Sequence, residues 1–153
     1  MWSVEVPESS PCAFCAYLSG ERPYTVVARS KLAAILVTRE QRGLPHLLVM
    51  PTRHVETILD LDDDEAACIS VVVREVARAI DSEYARPGIA VWQNNGVPAQ
   101  QKIAHVHFHV AGTLAAGGTE FGNVEEAPLS ETDLVGDKIR VPLLMALPDF
   151  LGS

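Results

Sequence analysis

Three histidines occupy alternate positions in the stretch His105-Val-His107-Phe-His109-Val, and two cysteines stand three apart as Cys12-Ala-Phe-Cys15. Imidazole works as a nucleophile, as a general acid or base near neutral pH and as a metal ligand. In a strand, alternate side chains share one face at a spacing of about 7 Å. His105, His107 and His109 would then stand together while Val106, Phe108 and Val110 anchor the other face. An amphipathic strand that merely faced water would be served as well by Ser, Thr, Lys or Glu. Three of the chain's five histidines in one hexapeptide therefore point to chemistry.

The elements that must carry these residues can be read from periodicity. Cys12 to Leu18 reads as a short helix closed by Ser19 and Gly20. Tyr24 to Ala28 and Leu32 to Thr38 read as a strand hairpin, and His46 to Pro51 as an apolar strand ended by its proline. Ile69, Val72, Val73, Val76 and Ile80 recur at helical spacing, which predicts a long helix over Asp63 to Tyr84. Asp62 is its N-cap, Glu65 completes a capping box, and Pro87 and Gly88 stop it. Ile89 to Gln93 is a further strand, Asn94 to Gln101 a loop, and Ile103 to Ala111 the strand that bears the histidines. Beyond Gly112 only a weak helix, with Ser130 as its N-cap, is suggested. This order predicts an α+β domain with a mostly antiparallel sheet.

Composition narrows the function. Apolar residues make up 48% and charged residues 21%, as in an ordinary globular domain, and 153 residues suffice for one core. A net charge of −8 argues against general nucleic-acid binding, which needs Lys and Arg against phosphates. No apolar run approaches the roughly 20 residues of a membrane span, and the first residues lack a secretory pattern, so a cytoplasmic protein without a membrane partner is expected. Three cysteines without such a signal suit a reducing compartment; Cys68, inside the long helix, reads as core.

The segment His105 to Ala111 fills every position of His-φ-His-φ-His-φ-φ, with φ apolar, and so resembles the signature of the histidine triad (HIT) family. CAFCAYLSGE, HLLVMPTRHVETILDL and WQNNG resemble further family segments in the expected order, so that the likeness spans roughly residues 12 to 112. It implies a HIT-like fold with a five-stranded antiparallel sheet, a homodimer, and hydrolysis or transfer at an α-phosphate through a nucleotidyl-histidine intermediate. By position, His107 would be the nucleophile and His109 would contact the phosphate or the leaving group. Asn94, Gln101 and His109 fall where nucleotide is gripped. His46 falls under the active site, where a buried hydrogen-bonding role is expected. On this reading residues 1–112 form the HIT-like domain, and 113–153 an extension packed on it or on a dimer partner.

The CxxC pair has two readings. A redox motif expects a βαβ surrounding that is not visible here. A closed zinc site needs two more nitrogen or sulfur ligands. His54 and His105 are the candidates, and they match positions that ligate a structural Zn2+ in some members of the family. Three departures bear on substrate: Thr38 replaces the Asp or Asn that often meets the ribose, Gln100 replaces a Gly, and no Arg follows the triad. They leave open a nucleotide-binding or signalling module with little turnover, and also a zinc-stabilised interaction protein. Lys102, beside the loop, reads as a solvated lysine.

Overall fold

The computed structural model describes residues 2–153. Six strands form one sheet in the order β4-β5-β3-β2-β1-β6: β1 is Thr25–Arg29, β2 Ala33–Val37, β3 His46–Pro51, β4 Ile89–Gln93, β5 Phe108–Gly112 and β6 Leu151–Gly152. Every neighbouring pair is antiparallel. The three helices are α1 (Ala13–Ser19), α2 (Asp63–Tyr84) and α3 (Leu129–Ala146). The α+β architecture expected from the sequence is observed, with six strands where five were expected. The added one, β6, is a two-residue edge on β1.

Alternation divides the sheet into two faces. Leu47 and Val49 of β3 join Ile69, Val72, Val76 and Ile80 of α2 and Ile139 and Leu143 of α3 in one core. Burying each such side chain contributes about 1.5–3 kcal/mol. On the other face Leu48 and Met50 pack with Phe14 of α1. Helix α2 has the expected bounds and cap. Glu65 N–H donates to Asp62 Oδ1 at 2.8 Å, and Asp62 N–H donates to Glu65 Oε1 at 3.1 Å. The Glu65 carboxylate also accepts from Arg53 Nη2 at 2.7 Å and Nε at 3.0 Å. This ties the start of α2 to the segment that leaves β3 toward His54.

Two expectations are corrected. The histidine segment is not wholly strand: β5 begins at Phe108, and His105 to His107 form an irregular approach in which Val106 N–H reaches Val55 O at 2.7 Å. Helix α2 ends at Tyr84, as expected, on Ala85 in the left-handed region (φ 47°). The weak helix after Ser130 is an 18-residue helix that starts at Leu129 and runs through Pro142. Thr132, Gly136, Ile139 and Leu143 form its buried stripe. A Cβ at Gly136 would stand 2.9 Å from Thr25 Cγ2, so glycine lets α3 lie close on β1. No described helix is long and apolar enough to cross a membrane.

Candidate functional site

Cys12 and Cys15 sit at the start of α1, where the Cys12 thiol caps the helix by accepting from Cys15 N–H at 3.4 Å. The fold brings them to two histidines distant in sequence. Cys12 Sγ is 3.5 Å from His105 Nδ1, and Cys15 Sγ is 3.4 Å from His54 Nδ1 and 3.6 Å from His105 Nδ1. The four donor atoms lie within 4.8 Å of one another. Bonds of about 2.0–2.1 Å to nitrogen and 2.3 Å to sulfur place tetrahedral ligands roughly 3.3–3.8 Å apart, so the set fits one metal ion.

The histidine orientation agrees. His105 Nε2 lies 2.9 Å from Pro51 O, a carbonyl to which only an N–H can donate, and this leaves the Nδ1 lone pair toward the thiols. Burial, followed by the Cys12 neighbour, pushes the Cys15 thiol up to about 11. A cation bound among the four would supply the charge that stabilises the thiolates.

His107 and His109 stand beside this cluster with ring centroids 5.0 Å apart. His107 Nδ1 lies 2.7 Å from His105 O, so Nδ1 carries the proton and Nε2 keeps its lone pair. Burial lowers the His107 pKa, favouring the neutral ring. Phe14 meets both His105 and His107 edge-on, at centroid distances of 5.8 and 4.9 Å. Phe14 carries no signal of this role in the sequence, where it is an ordinary apolar residue of a short helix.

His109 is held from two sides. Trp92, its partner across the β4–β5 pair, stacks on it at 4.6 Å. His46 Nε2 lies 3.0 Å from His109 Nδ1. Burial, with His107, His46 and Arg42 adding to it, lowers the His109 pKa strongly. His46 is 1% exposed, so it reaches the site only through His109. In the sequence Trp92 is signalled only as the first residue of WQNNG, where its place before Asn94-Asn95-Gly96 makes it the last strand residue facing the histidines.

The loop residues divide. The Asn94 carboxamide makes no hydrogen bond among the described residues and stays half-exposed. Gln101 is 4% exposed and fully used: its Oε1 accepts from Gly96 N–H at 2.7 Å, and its Nε2 donates to Glu56 O and Ile103 O. Its side chain holds the loop closed. Gln100 adopts φ 68°, so it takes the left-handed conformation that glycine would take. The Thr38 hydroxyl accepts from Glu40 N–H at 3.2 Å and is turned into its own loop.

The family model of the HIT domain matches residues 19–115. An uncharacterised HIT-like protein of Methanocaldococcus jannaschii is 30% identical over 122 residues, covering 78% of this chain and 94% of that protein. An adenosine 5'-monophosphoramidase of Schizosaccharomyces pombe is 33% identical over 99 residues, covering 65% of this chain and 71% of the relative. A Zn-bound histidine triad family protein from Mycobacterium smegmatis shares the fold at a TM-score of 0.75 and 24% identity, covering 90% of this chain and 96% of its own. The family match takes in the triad, His46 and His54 but leaves the Cys12–Cys15 pair and the C-terminal segment outside it. On that match and those relatives, this chain belongs to the HIT domain family.

Proposed function

We propose that the protein is a nucleotide hydrolase or nucleotidyltransferase that works at an α-phosphate, with a nucleoside phosphoramidate as its substrate. The observation that carries this is the state of His107: Nδ1–H is committed to His105 O at 2.7 Å, and Nε2 is left as an unprotonated nitrogen beside His109. The Nε2 lone pair attacks phosphorus and forms an N–P bond, while the bond from phosphorus to the leaving nitrogen breaks and its electron pair stays with the leaving group. Charge that develops on the His107 ring is stabilised by the His105 carbonyl through Nδ1–H. His109 donates a proton to the leaving nitrogen. Burial keeps His109 neutral, so the proton it gives is that of its ring N–H, and the attacking water of the second step returns one to it. Water then cleaves the N–P bond and restores His107. The free Asn94 carboxamide is assigned to substrate, and Gln101 to shaping the loop that surrounds it.

In this reading Cys12, Cys15, His54 and His105 hold a structural Zn2+. Four protein ligands leave no open position for water, so the ion braces α1 against the histidine segment. The named phosphoramidase relatives support the substrate class. The working form is a homodimer in the cytoplasm, which light scattering of the purified chain and microscopy of a tagged copy would check.

The test is to incubate the protein with adenosine phosphoramidate and follow AMP release beside His107→Ala. Turnover by the native chain, lost in the variant, is expected; equal AMP from both would remove His107 as nucleophile. A second reading, a nucleotide-binding module with little turnover, draws on the Thr38 hydroxyl being spent within its own loop. It predicts thermal stabilisation by AMP without product.

A further inference from the structure

His46 Nδ1 faces two backbone groups that cannot both be satisfied: Glu40 O, an acceptor, at 3.1 Å, and Arg42 N–H, a donor, at 3.2 Å. If Nδ1 carries the proton it donates to Glu40 O. His46 Nε2 then accepts from His109 Nδ1–H, and His109 Nε2 is a bare acceptor. If Arg42 N–H donates to Nδ1, His46 Nε2–H donates to His109 Nδ1, and His109 presents Nε2–H. The choice made at the loop is transmitted, with no change of charge, to the outer nitrogen of His109.

The segment after β5 grips that loop. Glu120 N–H donates to Arg42 O at 2.8 Å, and Arg42 Nη1 donates back to Glu120 O at 3.2 Å. Further along, Ala127 N–H donates to Arg39 O at 2.8 Å, Arg39 Nε donates to Ala127 O at 2.8 Å, and Arg39 Nη1 meets Glu126 Oε2 at 3.0 Å. The backbone at Arg42 is therefore fixed through its carbonyl and its side chain, which leaves its N–H aimed at His46. The gripping residues, Glu120, Glu126 and Ala127, all lie beyond residues 19–115, the part matched by the family.

We propose that residues 119–127 are a strap that holds Arg42 N–H on His46 Nδ1 and so keeps His109 as an Nε2–H donor toward the site. Arg42 is a positioning residue, acting through His46. The tautomer claim stands on the hydrogen bonds alone, whereas its effect on turnover rests on the function proposed above.

Ring 15N chemical shifts of His46 and His109, measured in the native full-length chain and in Glu120→Pro, test it. Proline removes the donor to Arg42 O. Native His46 and His109 should both carry Nε2–H, and in Glu120→Pro a population with Nδ1–H on both should appear. Arg42→Ala should show the same change, with Arg42→Lys restoring part of the native pattern, so the test survives if one variant folds poorly. Turnover of adenosine phosphoramidate should fall about tenfold or more in Glu120→Pro and in Arg42→Ala, a partial form of the roughly hundredfold loss that follows complete removal of one active-site donor. Nδ1–H on His46 in the native chain, or identical tautomers in all the folded variants, would overturn the proposal. A tautomer change without any turnover in the native protein would support the strap while refuting the phosphoramidase reading.

Discussion

The indole of Trp92 lies parallel to the imidazole of His109, with planes 5° apart and centroids 4.6 Å apart. His46 closes the opposite end of the same ring through Nδ1. The stack fixes the plane of His109, and the hydrogen bond fixes its rotation within that plane. A ring held in both ways presents Nε2 in one direction, which is what proton transfer to a leaving group requires.

Trp92→Leu should keep the fold and lose this orientation. The expected result is a fall in kcat of about tenfold with a smaller change in KM, since alignment is lost while most binding groups remain. Steady-state kinetics with adenosine phosphoramidate check it. An unchanged kcat would show that the hydrogen bond from His46 suffices.

Removal of the metal should be felt across the domain, because the four ligands come from α1, the segment after β3 and the approach to β5. One Zn2+ per chain is expected by elemental analysis. Cys12→Ser should lose the ion and lower Tm by roughly 5 °C or more, since metal binding to a site absent from the unfolded chain is folding free energy. Chelator treatment of the native protein should reproduce the shift. Protein isolated without chelator and found free of metal would remove the site.

Much of this arrangement was legible because it depends on residue type and period. The α2 stripe and the Asp62–Glu65 box are local signals, and with the Pro87-Gly88 stop they give the observed span Asp63–Tyr84. The four metal-binding candidates could be named from the donor chemistry that a closed site demands together with the resemblance to family positions that ligate zinc. What escaped the sequence depends on long-range geometry. Helix α3 contains Gly136 and Pro142, which weaken a helical pattern, and its bounds follow from packing on β1 and α2. The irregular run at His105 and His107 arises because His105 must turn Nε2 to Pro51 O while His107 bonds back to His105 O. The strap on Arg39 and Arg42 is built largely from main-chain bonds, which carry no side-chain signature.

Stability should depend on pH through His46. Burial, with Arg42 and His107 acting in the same direction, lowers its pKa from 6.5 to about 4. As pH falls through 6.5, the unfolded chain binds a proton that the folded chain refuses, so the folded state loses stability until about pH 4, where the folded ring also protonates. The full difference amounts to roughly 3 kcal/mol at about 1.4 kcal/mol per pKa unit. His46→Gln, which can still offer a hydrogen-bonding group to His109, should make the stability profile shallower between pH 6.5 and 4, the rest of the slope belonging to His105, His107 and His109, whose pKa values burial also lowers. Urea denaturation across that range is the measurement, and parallel profiles for the two proteins would rule out His46 as the source.

Gln100 offers a gain in the other direction. It holds φ 68° at the end of the 3-10 turn Val97–Ala99, where its N–H donates to Val97 O at 2.9 Å. Its side chain is exposed, so little packing offsets the cost of a left-handed backbone, which is about 1 kcal/mol for a residue with a Cβ. Glycine adopts that conformation freely, although it also gains entropy in the unfolded chain. Relief of the strain should exceed that gain, and Gln100→Gly is expected to raise stability by about 0.5 kcal/mol. The loop keeps its bonds from Gln101 to Gly96, Glu56 and Ile103, so turnover should be unchanged. A chemical denaturation midpoint at or below that of the native chain would mean that the Gln100 backbone is not strained, and that its side chain has a role in the loop which its exposure conceals.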